Sequence, residues 1–575
     1  MCGICILWGE HIDPATHQAC LDALGPRGPD ITQSEIIQHT TAKDTVAGRS
    51  RLNAFAPASA PESDKPTKEL DVAIGFSRLH IQGEKGGAEQ PFKMSDGRQV
   101  LCNGEIFNSD ILVKKLGLVV PPGSSDCAVI PALLERGLDL QTVARQLDGD
   151  FAIVVVDLSA NTMTVARDPY GVRPLYFATN KETWIGLASE LKGFPKEPSA
   201  TFVEVILPGS VVIYPLDTAE YKYMRTWHQP PWLKTPFWRS SLEGLTAGGD
   251  ALRHALEEGV RKRLTTVRAI GACLSGGLDS SLVAAIAAKQ LAKQGVRLHT
   301  YSVGMEGSPD LVAARLVAKH INSVHHERVL TAEECLAIIP EVVKAIESFD
   351  ITTVRASVGN YFVGRLVTTE TPDVKVVLNG DGADEILGGY LYMRAAPDDA
   401  AFEAETDRLL AEIHRYDVLR SERCMAAHGL ESRSPFLDRQ FVSVARSLPT
   451  DALRPSASMM EKSILRSAFS ADGLLPESVL WRRKEAFSDG ISRAENSWFE
   501  MAAAEGEKKV SDWAAKAKEY TVNPPPTAEA FWYRELFHQS YPEAAAPATA
   551  PAMWMPRFVN ATDPSARTLS LYQAE

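Results

Sequence analysis

The 575-residue sequence predicts two domains in series: a mainly antiparallel β domain with a few helices, then an α/β domain on a parallel sheet. Three observations predict this. At roughly 150 residues per domain the chain is too long for one hydrophobic core. Residues 1 to about 217 are dense in short β-branched and aromatic runs separated by Gly, Pro, Asn and Asp. From Asp250 onward, amphipathic helices alternate with short apolar strands, the pattern of a parallel α/β sheet.

In the first region, Phe151–Asp157, Trp184–Leu187 and Val211–Tyr214 read as strands, and the Ala/Pro/Ser/Asp-rich segment Phe55–Thr67 as a surface loop too poor in apolar residues to bury. A polar stretch with Gln229-Pro-Pro231 marks a linker, giving domains 1–217 and 246–575 joined by 218–245. In the second region the strands are Ala269–Leu274, Leu298–Val303 and Val374–Leu378. A helix from about Ser281 to Gln294 closes at Gly295, and Thr331-Ala-Glu-Glu334 is a capping box ahead of one helical run, Cys335–Ile346. Ala544–Pro551 is expected to be extended.

Composition narrows the function classes. With 45% hydrophobic and 23% charged residues the chain has the averages of a soluble globular protein. A net charge of −13 and the lack of any dense Lys/Arg run argue against a nucleic-acid partner. Eight cysteines are sparse, and Cys2-Gly-Ile-Cys5 has no second pair to complete a zinc site, which fits a reducing compartment. The apolar start Ile4–Trp8 has no basic lead and no stretch approaches about 20 apolar residues. A cytoplasmic protein acting on small molecules, without membrane or nucleic-acid partners, is expected.

Two local patterns carry chemistry. Cys2 follows the initiator, so removal of Met1 would put a thiol and a free α-amine, a usable base for it, on one residue. Taken alone, a cysteine at position 2 is more often a packing residue. Second, Arg268–Leu274 runs into Ser275-Gly-Gly-Leu-Asp-Ser280 and then a helix. This strand, glycine turn and helix amino terminus suit a phosphate anion, and without a following Gly-Lys-Ser/Thr it is not a P-loop.

Together with Cys2, the ordered segments Arg27-Gly-Pro-Asp30, Ser77-Arg-Leu79, Asn103-Gly-Glu-Ile106, Ser125-Asp126 and Arg167–Pro174 resemble the class II glutamine amidotransferase domain. Ser275–Ser280 resembles the pyrophosphate loop of ATP pyrophosphatases. With Gly304–Asp310, Asp350–Ser357, Gly380–Glu385, Ser434–Asp438, Trp481–Gly490 and Asn560–Thr568, nearly the whole chain resembles glutamine-hydrolysing asparagine synthetases.

The resemblance implies an α+β N-terminal-nucleophile hydrolase sandwich with αββα layers, followed by an α/β parallel-sheet ATP pyrophosphatase domain with extra helices. It implies a carbon–nitrogen ligase that adenylates aspartate and aminates it with ammonia from glutamine, through a sheltered tunnel between domains, in a possible homodimer. Cys2 would be the nucleophile, Asn103 and Gly104 the oxyanion donors, and Arg78, Leu79, Ile81, Glu105 and Asp126 further glutamine-binding residues. ATP would lie on Leu274, Ser275, Gly276, Gly277, Asp279, Ser280, Val303, Asn379 and Gly380. Mg²⁺ would lie on Asp279 and Asp384, the substrate aspartate on Thr352, Thr353 and Arg355, and Asp381 and Lys484 would be catalytic.

Two rival readings are a β-lactam-forming relative, disfavoured by Cys2, Asn103 and Gly104, and a silent homologue. The sequence departs from the family pattern at Pro26, where a histidine is usual, and at Asn379, Asp381 and Ala383.

Overall fold

The computed structural model describes residues 1–41, 67–84, 89–228, 241–493, 495 and 497–570. The chain divides into two compact units, Met1–Gln229 with Tyr541–Ala548, and Pro230–Ser540 with Thr549–Glu575.

Among the described residues, the first unit holds two six-stranded antiparallel sheets. One runs in the order Phe202–Val205, Tyr176–Thr179, Ile185–Ala188, Gly3–Gly9, Glu69–Arg78, Ile31–Thr40; the other runs Tyr223–Thr226, Ser210–Pro215, Thr162–Arg167, Gly149–Asp157, Gln99–Ile106, Phe92–Lys93. The uninterrupted apolar run Phe151–Val156 explains the layering. Ala152, Val154 and Val156 point into a core shared with Ile4, Trp8, Val72 and Phe177 of the facing sheet. Phe151, Ile153 and Val155 point the other way, into a core with Ile130, Leu133 and Val143 of the helices covering that sheet. A strand buried on both faces loses its polar alternation. Helix Pro14–Ala23 packs on the outer side of the first sheet, against Gly3–Gly9 and Glu69–Arg78, completing the αββα sandwich.

The second unit is built on a five-stranded parallel sheet in the order Val324–Leu330, His299–Met305, Ala269–Cys273, Val374–Leu378, Glu431–Arg433. The chain steps outward from Ala269–Cys273 in one direction, then returns to lay Val374–Leu378 on its other side. That reversal opens a crevice at the carboxyl ends of these two strands, where ligands of open parallel sheets bind.

Local expectations differ from the structure in a few places. Strand Tyr223–Thr226 lies inside the segment read as linker, paired to Ser210–Ile213. The phosphate-loop helix spans Leu278–Ala292, starting earlier because Gly277 caps it and Asp279 enters its first turn. The capping box at Thr331 is present. The run after it breaks into Ala332–Ala337 and Ile339–Ile346, because Pro340 has no N–H for the preceding turn. Ala544–Pro551 is not extended: it holds two short helical turns, Glu543–Ala545 and Ala546–Thr549. Alanine favours helix, and Pro547 sits in a first turn where its missing N–H costs nothing. The expected surface loop falls almost wholly outside the described residues.

Phe177 from one sheet stacks on Tyr214 from the other, with centroids 4.5 Å apart and planes at 5°. Phe177→Ala is expected to lower the stability of this unit by about 3–5 kcal/mol, read as a shift in its denaturant midpoint.

Candidate active site

In the first unit, Arg27, Leu79 and Asn103 meet at Cys2. Arg27 Nε donates to the Cys2 carbonyl at 2.9 Å, and the buried Arg27 guanidinium is ion-paired to Glu190. Gly28 lets this turn lie against the strand ending at Arg78, since a Cβ there would be 2.2 Å from the Ser77 carbonyl carbon. Asp30 ties on the next segment, accepting from the His80 N–H at 2.7 Å, and Cys2 Sγ lies 4.0 Å from the Leu79 carbonyl oxygen.

Asn103 is the pivotal side chain. Its Oδ1 accepts from the Cys2 N–H at 3.0 Å, while its Nδ2 is buried without a hydrogen-bond partner. A buried amide nitrogen with nothing to bond, on the side chain that holds the Cys2 N–H, suits an oxyanion that forms only during reaction. Gly104 follows where a Cβ would be 2.3 Å from the Asp150 carbonyl oxygen. Arg78 donates through Nη2 to the Gln82 carbonyl at 2.9 Å and keeps Nη1 buried without a partner. Glu105, Leu79 and Ile81 are buried, and Asp126 Oδ2 accepts from the Ile106 N–H at 2.5 Å. Pro26 is exposed in the turn after the first helix. The Arg167–Pro174 segment is a scaffold: Asp168 accepts from the N–H groups of Tyr170, Val172 and Arg173, and Arg167 donates to three carbonyls.

In the second unit, the crevice is a cavity lined by Leu274, Ser275, Gly277, Asp279, Ser280, Val303, Thr352, Arg355, Asn379, Gly380, Asp381, Asp384 and Lys484. Gly380 is required by close approach: a Cβ there would be 2.7 Å from the Ser280 nitrogen, so the loops after the two central strands touch. Gly276, at φ +75°, is not among the lining residues; it packs where a Cβ would be 2.4 Å from the Ala314 nitrogen. Ser275 and Ser280 brace the loop through hydroxyls 2.9 Å apart. The Asn379 side chain bonds Ser432 and Ser434, at 2.7 Å each, and so fixes the second loop.

The charged centre contains a residue that sequence reasoning missed. Lys462 Nζ is 2.6 Å from both Asp279 Oδ2 and Asp384 Oδ1, and Lys484 Nζ is 2.5 Å from Asp384 Oδ2. Lys462 sits at φ +58°, and Gly389 makes room for it: a Cβ at 389 would be 2.1 Å from Asp384 Oδ1 and 2.3 Å from Lys462 Cε. Burial would raise the Asp384 carboxyl, but the charges of Lys462 and Lys484 hold it well below the usual range. Loss of solvent pulls the Lys484 ammonium down, and Asp384 and Asp279 more than reverse this. Asp279 Oδ1 is buried without a hydrogen-bond partner.

Asp381 is 3.2 Å from Arg420, which Asp417 also holds, at 2.5 Å. Burial pushes the Asp381 carboxyl up, against Arg420 and with help from Asp417, so it has a raised affinity for a proton. Asp417 and Arg420, spaced i, i+3 on a helix, were a legible pair.

The predicted aspartate-binding residues separate. The Thr352 hydroxyl is buried in the cavity without a partner. Thr353, one position on, faces away, its hydroxyl donating to Asp350 at 2.8 Å as part of the helix cap, so the structure does not bring it to the cavity. Arg355 lines the cavity but is forked onto Glu529, at 2.6 Å, and Asp563, at 2.8 Å.

Two family models match the chain: asparagine synthase over residues 251–406 and 394–562, and the glutamine amidotransferase domain over residues 60–206. The chain is similar along its whole length to curated proteins named asparagine synthetase [glutamine-hydrolyzing]. Those of Gallus gallus and Bos taurus are 38% identical to it and that of Homo sapiens 37%, each over 100% of this chain and 99% of its own.

Lys462→Ala would leave two buried carboxylates facing one another. It is expected to destabilise the second unit by about 3–5 kcal/mol, measured by denaturant unfolding.

Proposed function

The chain belongs to the glutamine-hydrolysing asparagine synthetases, and on that premise we propose how its two sites divide the work. The protein makes asparagine from aspartate in an ATP-dependent reaction, using ammonia from glutamine. Glutamine hydrolysis falls to Cys2. Its thiolate attacks the side-chain amide, and the resulting oxyanion takes hydrogen bonds from Asn103 Nδ2 and the Gly104 N–H. Collapse, with the proton given up by the thiol passed to the amide nitrogen, releases ammonia and leaves a thioester that water cleaves to glutamate. Arg78 holds the substrate carboxylate, with Glu105 and Asp126 for its ammonium.

In the second unit, the β-carboxylate of aspartate attacks the α-phosphorus of ATP, giving β-aspartyl-AMP and pyrophosphate. Ammonia then attacks the acyl carbon, AMP leaves, and Asp381 takes up the proton lost by nitrogen, a role its raised proton affinity supports. Leu274, Val303, Asn379 and Gly380 hold the nucleotide, the Ser275–Ser280 turn and Lys484 hold the phosphates, and Thr352 and Arg355 lie on the aspartate side. Asp279 and Asp384 fit Mg²⁺: both are hard oxygen donors, and Asp279 Oδ1 has no other partner. When bound, the cation would neutralise charge on the phosphates.

The observation that carries the synthetase reading is one cavity that gathers both glycine loops, Thr352, Arg355 and Lys484. Cys2→Ala is expected to abolish glutamine-dependent asparagine formation while synthesis from added ammonium persists, measured side by side. Loss of both activities would overturn the division into two sites.

A further inference from the structure

The substrate aspartate carries an α-ammonium as well as two carboxylates; Arg355 can answer only a carboxylate, and the Thr352 hydroxyl carries no charge to set against the ammonium. Among the described residues, four acidic residues lining the cavity have a buried oxygen without a hydrogen-bond partner: Asp279, Asp381, Asp384 and Asp489. The first three already face cations: Asp279 and Asp384 each lie 2.6 Å from Lys462, Asp384 also 2.5 Å from Lys484, and Asp381 3.2 Å from Arg420. Asp489 differs. Its Oδ1 accepts from a neutral hydroxyl, Ser565 Oγ at 2.8 Å, and its residue is only 2% exposed.

Asp489 is also on the aspartate side of the cavity. Arg355 bonds Asp563 at 2.8 Å, Asp563 Oδ1 accepts from the Ser565 N–H at 2.8 Å, and the Ser565 hydroxyl reaches Asp489. A short hydrogen-bonded path therefore joins Arg355 to Asp489. The helix Phe487–Gly490 that carries Asp489 packs closely on the helix bearing Thr352 and Arg355, for a Cβ at Gly359 would be 2.5 Å from the Phe487 ring. Burial pushes the Asp489 carboxyl up, with Ser565 and Arg567 acting against it. An incoming cation would relieve that cost.

We propose that Asp489 Oδ2 receives the α-ammonium of the aspartate substrate, and so distinguishes an α-amino dicarboxylate from a plain dicarboxylate. The proposal rests on the reading that this cavity activates aspartate. An analogue lacking the amine would leave Asp489 Oδ2 buried without a hydrogen-bond partner, and sites built around a polar partner reject such analogues strongly.

The test compares aspartate with succinate, its desamino analogue, as substrate and competing inhibitor of the full-length enzyme with ammonium as nitrogen source. Asp489→Asn keeps the shape and the Ser565 bond but removes the charge. It is expected to raise the KM for aspartate about 10- to 100-fold, leaving the Ki of succinate and the KM for ATP unchanged. A parallel change for aspartate and succinate would make Asp489 a packing residue and overturn the proposal. The wild-type enzyme decides the matter should the variant not fold: succinate competing as tightly as aspartate would contradict an ammonium site, and much weaker competition would support one. A wild-type enzyme that forms no asparagine from aspartate would instead overturn the functional reading itself.

Discussion

One ammonium organises the synthetase cavity. Lys462 Nζ stands 2.6 Å from carboxylates in the first turns of two helices that follow different strands, Asp279 in Leu278–Ala292 and Asp384 in Ala383–Leu387. Without it, two buried like charges would share one site, which raises the proton affinity of at least one of them. With it, Asp384 stays ionised and can hold Lys484 on its other oxygen. The neighbouring Glu461 extends the same support, accepting from the Lys484 N–H at 2.9 Å and from Arg466 at 2.7 Å. The backbone accommodates this at some cost, with Lys462 in a left-handed conformation that side chains seldom adopt. Such local strain persists where surrounding contacts over-determine it.

The sheet topology explains why the loops meet at all. The strand-order reversal between Ala269–Cys273 and Val374–Leu378 leaves both following loops at one crevice, and Gly380 lets them touch. The glutaminase unit solves a similar problem differently. There a single side chain, Asn103, holds the Cys2 backbone N–H with its oxygen and keeps its nitrogen unspent. In both proposed sites the side chains are braced by buried charge or amide groups, so the geometry exists before substrate arrives.

Much of this was legible in the sequence because the chemistry is written in contiguous motifs. Ser275–Ser280 and Asn379–Asp384 each carry their glycines and acids side by side, and Cys2, Asn103 and Gly104 stand in family order. Contacts between distant residues were not legible. Lys462 lies 183 residues from Asp279 in an unremarkable Glu-Lys-Ser stretch, and only the fold brings them together. Strand Val324–Leu330 was missed because its His-His-Glu-Arg centre breaks the apolar pattern, and Glu431–Arg433 because three polar residues gave no strand signal at all. Thr352 and Thr353 show the limit of motif transfer: adjacent helical positions point about 100° apart, so one reaches the cavity and the other caps its own helix.

The account turns on the cavity of the second unit activating aspartate by adenylation before any nitrogen arrives. The most direct measurement is exchange of labelled pyrophosphate into ATP by the wild-type enzyme with Mg²⁺, in the absence of glutamine and ammonium. Exchange that appears only when aspartate is added is the predicted result. Absence of exchange with aspartate present, or formation of ADP and phosphate in place of AMP and pyrophosphate during synthesis, would contradict it.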